Sequence, residues 1–250
     1  MSFVKKDNQQ FYNPIRRGIL NHQMIEPGDR VAVGMSGGKD STSLLYFLDT
    51  IKRQKRLGFD FEIVPICLSM GFDMDISPMK EFVEHLGYSL EIVDTNIAQV
   101  VFDIREEKSP CSLCAKLRRG YLYTRARELG CQKVALGHHL DDAIETYFMN
   151  FLFHGKMKSF EPKSYLSKTD ITLVRPMIYL QEKEIIRFVD RENLPVIFNP
   201  CPVDKKTKRE EVKHLVSHLA KDYPDIREKF IMGMEQGQVQ DFWPISKIND

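Results

Sequence analysis

Val31-Ala-Val-Gly-Met-Ser-Gly-Gly-Lys-Asp-Ser41 decides the fold. Its apolar, β-branched opening (Val31, Ala32, Val33) has the character of a buried strand. Ser36-Gly37-Gly38-Lys39-Asp40-Ser41 makes a tight turn, and Thr42, Leu44, Leu45, Phe47 and Leu48 then recur at helical spacing. The order strand, glycine turn, helix gathers backbone N–H groups and a helix N-terminus at one point. The Ser36 and Ser41 hydroxyls and the Lys39 ammonium lie beside it. Such a point binds phosphate. It is not the usual phosphate loop, because Asp40 follows Lys39 and the spacing is too short for G-x-x-x-x-G-K-[ST]. G-x-G-x-x-G is also absent, which excludes a dinucleotide fingerprint. The alternative is a turn that merely connects strand to helix.

Working outward, strand and helix patterns alternate. Strands are expected at Arg30–Met35, Phe61–Ser69, Ser89–Val93 and Lys133–Gly137, with a weaker fifth at Leu173–Pro176. Helices fit Asp40–Arg56, Ser77–Leu86, Leu113–Leu129 and Asp141–Phe153, then Gln181–Glu192, Lys208–Lys221 and Ile226–Gln236. Alternation implies an α/β fold, a parallel sheet with helices on both faces, whose ligands bind at the carboxyl ends of the strands. The turn after Met35 and Gly137-His138-His139 both fall at such ends and are expected to face one cleft. Leu166–Asp170 reads as an exposed loop. The expected division is an N-terminal arm with a basic amphipathic helix (1–27), an α/β unit built on the phosphate loop (28–176) and a C-terminal helical extension carrying Cys201 (177–250).

A chain of 250 residues can bury a full core. Its 36 Lys plus Arg against 35 Asp plus Glu give a net charge of +1, so any nucleic-acid surface must be a local patch. Met1–Gln10 has no apolar signal core, and no apolar run approaches the roughly 18 residues of a membrane span. A cytoplasmic setting without membrane contact is expected. Five cysteines in a reducing compartment favour metal or catalysis over disulfides.

Cys111-Ser-Leu-Cys114 opens a helix, and Cys201 stands in Asn199-Pro-Cys-Pro202. Three readings are open: a thioredoxin-like pair, zinc with His138 or His139 as fourth ligand, or an iron–sulfur cluster on three thiolates. Cys67, inside a strand, and Cys131 read as structural.

The combination narrows the choice. SGGKDS resembles the loop of the PP-loop ATP pyrophosphatases, which cut ATP between the α- and β-phosphates and use AMP to activate an oxygen. With Cys111-Ser-Leu-Cys-Ala-Lys-Leu-Arg-Arg-Gly120, Leu136-Gly-His-His-Leu-Asp-Asp142, Glu145-Thr146, Phe153–Lys158, Arg175-Pro176 and Cys201, the chain resembles the tRNA 2-thiocytidine synthetase (TtcA) family from about Asp29 to about Tyr223. Thiouridine synthetases with flanking zinc fingers match less well, because further CxxC pairs are missing. The resemblance implies a PP-loop, Rossmann-like fold, ATP, Mg²⁺ and a [4Fe–4S] cluster on Cys111, Cys114 and Cys201. It also implies sulfur transfer to an anticodon-loop cytidine of tRNA. Three thiolates leave one iron open for hydrosulfide; a cysteine persulfide with a resolving cysteine is the alternative. The sulfur donor, a cysteine desulfurase or free sulfide, and the oligomeric state, a homodimer included, stay open.

Roles follow from this chemistry. Ser36, Gly37, Gly38, Lys39, Asp40 and Ser41 are expected to hold ATP, with Gly137 and His138 across the cleft. Lys39 stabilises departing pyrophosphate, and Asp40 is the Mg²⁺ ligand. Asp142 acts as acid/base or orients the nucleobase, or else stabilises a helix N-terminus together with Asp141. Lys116, Arg118, Arg119, Lys156, Lys158, Lys206 and Arg209 are expected to meet tRNA phosphates, Lys163 extends the second basic stretch, and Arg118 and Arg119 could instead serve ATP. The competing functions are a PP-loop ligase or amidase with structural zinc, and a nonenzymatic redox-sensing nucleic-acid binder.

Overall fold

The computed structural model describes residues 6–72, 74–104, 110–197, 201 and 208–236. Strands β1 (Arg30–Met35), β2 (Glu62–Ser69), β3 (Glu91–Asp94), β4 (Lys133–Ala135) and β6 (Ile171–Val174) are parallel. β5 (Lys163–Leu166) pairs antiparallel with β6, and the sheet order is β3-β2-β1-β4-β6-β5. From β1 the chain builds outward first through β2 to β3, then on the other side through β4 to β6. The crevice at the carboxyl ends of β1 and β4 is therefore the switch point where such sheets bind ligands.

The helices are α1 (Asn13–Asn21), α2 (Lys39–Arg53), α3 (Ser77–His85), α4 (Pro110–Glu128), α5 (Leu140–His154), α6 (Glu182–Glu192), α7 (Lys208–Asp222) and α8 (Ile226–Gln236). π-helical turns span Asn8–Tyr12 and Gln99–Ile104. Alternation along β1 sorts its side chains between two layers. Val31 and Val33 enter a core with Leu44, Phe47 and Leu48 of α2, whereas Ala32 packs with Ile66, Leu122 and Ala126 under α4.

β5 has no counterpart among the expected strands, because Lys-Ser-Tyr-Leu carries no apolar run. Its edge position makes one unnecessary: it needs only the hydrogen bonds of β6. The Lys163 ammonium donates to the Gln23 carbonyl at 2.6 Å. Described residues of the expected N-terminal arm pack into the main core. Phe11, Tyr12, Ile15, Ile19, Met24 and Ile25 are buried in the main core, as are Ile185, Phe188 and Val189 of α6. Phe188 lies between Phe11 and Phe47, with ring centroids 4.9 and 4.4 Å away. One core thus runs across both expected boundaries, at 27 and at 176.

Candidate active site

The loop after β1 is built as a cradle. Gly37 has φ +79°, which favours glycine, and Gly38 is extended as the N-cap of α2. The Ser41 hydroxyl donates to the Gly38 carbonyl at 2.9 Å and lies 3.2 Å from the Ser36 hydroxyl. No side chain caps the first turn of α2, so its N–H groups remain for an anion. Across the crevice, a Cβ on Gly137 would stand 2.9 Å from the carbonyl carbon and oxygen of Asp40. Glycine there lets the end of β4 press against the loop. The two sequence-expected strand ends do share one cleft.

The loop's charged side chains are paired. The Lys39 ammonium contacts Asp40 at 2.9 Å and Glu182 at 3.1 Å. Burial pushes its pKa down, but the two carboxylates prevail and raise it. The other Asp40 oxygen, Oδ1, is buried without a hydrogen bond among the described residues, 3.8 Å from His139 Nε2. A hard, oxygen-seeking cation such as Mg²⁺ fits that orphaned carboxylate oxygen.

Asp142 is engaged on both sides. One carboxylate oxygen accepts from the His139 N–H at 3.0 Å, while His139 Nδ1 accepts from the Asp142 N–H at 3.3 Å, a reciprocal cap on α5. The other oxygen accepts from Arg209 at 2.9 Å. Arg209 also reaches Thr146 at 3.3 Å and Glu145 at 3.8 Å. Arg209, expected among the tRNA contacts, is thus held by carboxylates at the start of α5, with its side chain still 41% exposed. His138 packs on Phe160 (5.1 Å), and burial, followed by nearby cations, lowers its pKa to about 4 despite Asp142, so it is neutral. Its Nδ1 is buried without a hydrogen-bond partner among the described residues.

Several site residues escaped the sequence reading. Glu182, at the first position of α6, bridges Lys39 and Lys213 (2.8 Å). Burial would raise its carboxyl, yet the two lysines hold it at about 2. Asp141 accepts from the Glu182 N–H at 2.7 Å and from Arg227 at 2.6 Å. Glu145 is pushed up to about 7, first by burial and then by Asp142, against Arg209 and Lys213. The Asp141-Asp142 pair announced a helix start, but nothing local announces partners 41 to 86 residues away.

The cysteines differ in burial. Cys67 and Cys131 are buried, and burial pushes the Cys67 thiol up to about 11. Cys111 is exposed and Cys114 half-buried. The Cys114 thiol is raised first by burial and further by Cys201 and Cys111, while Arg118 beside it lowers it. The three thiols therefore lie within electrostatic reach. Among the described residues no three His, Cys, Asp or Glu side chains already stand as a metal site. The donor set is nevertheless the soft one that iron–sulfur clusters require, and such sites commonly close only around their metal. Ile197 connects thiols to nucleotide loop. Its N–H donates to the Gly37 carbonyl at 2.8 Å, and its side chain fills the space above Gly37. Cys201 follows four residues later, within roughly 14 Å by chain length alone.

Lys116, Arg119, Lys156 and Lys158 are exposed and available to a large anion. Arg118 is exposed but turned toward Cys114, and Lys206 lies outside the described residues. No described helix is long and apolar enough to cross a membrane.

Fold and loop together define a PP-loop protein, and the PP-loop domain family matches residues 4–220. The tRNA-cytidine(32) 2-sulfurtransferase of Aliivibrio fischeri (strain ATCC 700601 / ES114) is 37% identical over 246 residues, covering 94% of this chain and 80% of the relative. That of Geobacter sulfurreducens is 35% identical over 237 residues, covering 91% and 89%. The fold is shared with a solved U34-tRNA thiolase, NcsA from Methanococcus maripaludis, described with its [4Fe-4S] cluster. The TM-score is 0.74 at 23% identity, over 99% of this chain and 83% of that one. The chain belongs to the tRNA-cytidine(32) 2-sulfurtransferase family of PP-loop proteins.

Proposed function

We propose that this protein is an ATP-dependent tRNA thiolase that replaces the C2 oxygen of an anticodon-loop cytidine with sulfur. The observation that carries this reading is the Ile197–Gly37 hydrogen bond: Ile197, four residues before Cys201, is bound to the phosphate loop, which supports one site for thiols and nucleotide. The names of the relatives, cytidine sulfurtransferases, support the substrate, and the cluster named for NcsA supports the metal.

The residues divide the work. The C2 oxygen of the base attacks the α-phosphorus of ATP, and the bond to pyrophosphate breaks. Charge developing on pyrophosphate is met by the first N–H groups of α2, the Ser36 and Ser41 hydroxyls and Lys39. Asp40 would hold Mg²⁺ through its unpartnered oxygen. A sulfur nucleophile then adds at C2, and AMP leaves with the original oxygen. Cys111, Cys114 and Cys201 would ligate the [4Fe–4S] cluster, which when bound supplies a soft metal to hold the transferable sulfur. His138, neutral and packed on Phe160 at the end of β4, would offer the base a hydrogen-bonding edge without charge. Asp142 orients His139 and the start of α5. Lys116, Arg119, Lys156 and Lys158 meet tRNA phosphates. Residues 28–176 carry the nucleotide chemistry and 177–250 add Cys201. The setting is the cytoplasm, sulfur comes from a desulfurase or free sulfide, and a homodimer is the assembly to test first.

Alanine substitution tests the assignment. Cys111→Ala, Cys114→Ala or Cys201→Ala should each bleach the anaerobically reconstituted protein and stop sulfur transfer, while Cys67→Ala and Cys131→Ala keep colour and activity. Lys39→Ala should keep colour and lose activity. Zinc without iron in anaerobically purified wild type would instead favour a ligase or amidase with a structural metal.

A further inference from the structure

Lys39 is the loop's one ammonium, yet its partners are carboxylates. Asp40 is its chain neighbour, but Glu182 comes from another element, the first position of α6. An acidic residue in the first turn of a helix is ordinarily explained by the helix dipole. Glu182 goes beyond that, because its side chain reaches cations on two other helices. One oxygen meets Lys39 of α2 at 3.1 Å, and the carboxylate meets Lys213 of α7 at 2.8 Å. Its backbone is fixed as well: the N–H donates to Asp141, which Arg227 of α8 holds through two contacts. Glu182 is thus anchored independently of Lys39, and Lys213 keeps its charge compensated when Lys39 moves. The pairing is half-buried, with side-chain exposures of 27% for Lys39 and 18% for Glu182, so solvent does not fully screen it.

Resting on the nucleotide reading above, we infer that Glu182 is a positioning counter-ion for Lys39, displaced when phosphate arrives and recaptured when pyrophosphate departs, with Lys213 as its standing partner. The device has a physical purpose. A bare ammonium beside several unsatisfied N–H groups would hold pyrophosphate tightly and slow its release. A carboxylate within reach weakens ground-state and product binding alike and returns the lysine to its place after each turnover. Because Lys213 lies on α7, which follows Cys201 in the chain, the same exchange links the nucleotide loop to the helix beyond the third cysteine.

Titration calorimetry with inorganic pyrophosphate and Mg²⁺ on the full chain tests this without cluster or tRNA. Glu182→Gln should bind pyrophosphate about three- to tenfold tighter than wild type, the range expected for removing one half-buried competing ion pair. The gain should vanish in the Lys39→Ala background, which a purely structural role or a general charge effect would not produce. Lys213→Met, which leaves Glu182 to Lys39 alone, should weaken binding, and it serves if Glu182→Gln does not fold. Unchanged or weaker binding by folded Glu182→Gln, or an equal gain without Lys39, overturns the inference while leaving the nucleotide reading in place. If wild type binds no pyrophosphate, the nucleotide reading falls and this inference with it.

Discussion

Gly137 and Glu145 show how single residues set the site. Gly137 faces the Asp40 carbonyl so closely that any Cβ collides with backbone, which cannot rotate aside as a side chain can. Gly137→Ala should push β4 from the loop, costing about 1–3 kcal/mol of stability and most ATP binding. Thermal unfolding and nucleotide titration read the two effects separately. Glu145 has a folded pKa near 7, against 4.5 for the free group, so the native state holds a proton that the unfolded state has lost between those values. Stability should therefore fall as pH rises from about 4.5 to about 7. Glu145→Gln should flatten that segment of a pH–stability curve; an unchanged slope would assign it to other groups.

At the scale of elements, α5 is the pivot. Its start carries the reciprocal cap between His139 and Asp142, and Asp142 also anchors Arg209 of α7. Asp142→Ala should remove about 1 kcal/mol through the lost cap, and more through the unpaired guanidinium. If Asp142 only caps and anchors, activity per folded molecule stays near wild type. A fall in turnover with unchanged ATP affinity would give it a direct role on the base. What sequence made legible follows from range. β1, the SGGKDS turn and α2 are contiguous, and periodicity displayed them together with most other helices. The edge strand β5 carried no such signal, since polar Lys163, Ser164 and Tyr165 meet a partner on one side only. Glu182, Lys213 and Arg227 were invisible because isolated charges carry no pattern; only folding brings them to Lys39 and Asp141. Arg209 shows the same limit: it stands in a basic run, and its pairing with a carboxylate 67 residues away carries no local signal.

Across the whole molecule, charge is balanced overall but unevenly used. Arg209, Lys213 and Arg227 are tied to carboxylates around the cleft, whereas Lys156 and Lys158 stand exposed beyond α5, beside exposed Phe151, Phe153 and Met157. The exposed pair is therefore where tRNA phosphates should add affinity. Replacing both lysines with alanine should weaken tRNA binding and lower the salt slope of log K by about one to two units, leaving pyrophosphate binding unchanged. Arg209→Ala, by contrast, should register first as lost stability.

The central claim is that ATP and three thiols cooperate at one cleft to put sulfur on a tRNA cytidine. Mass spectrometry of nucleosides from tRNA, incubated with anaerobically reconstituted protein, sulfide and Mg²⁺ with or without ATP, tests it most directly. 2-Thiocytidine is expected only when ATP is present, and none with Lys39→Ala or Cys201→Ala. Absence of any thiolated nucleoside from the complete mixture, or equal yield without ATP, would contradict it.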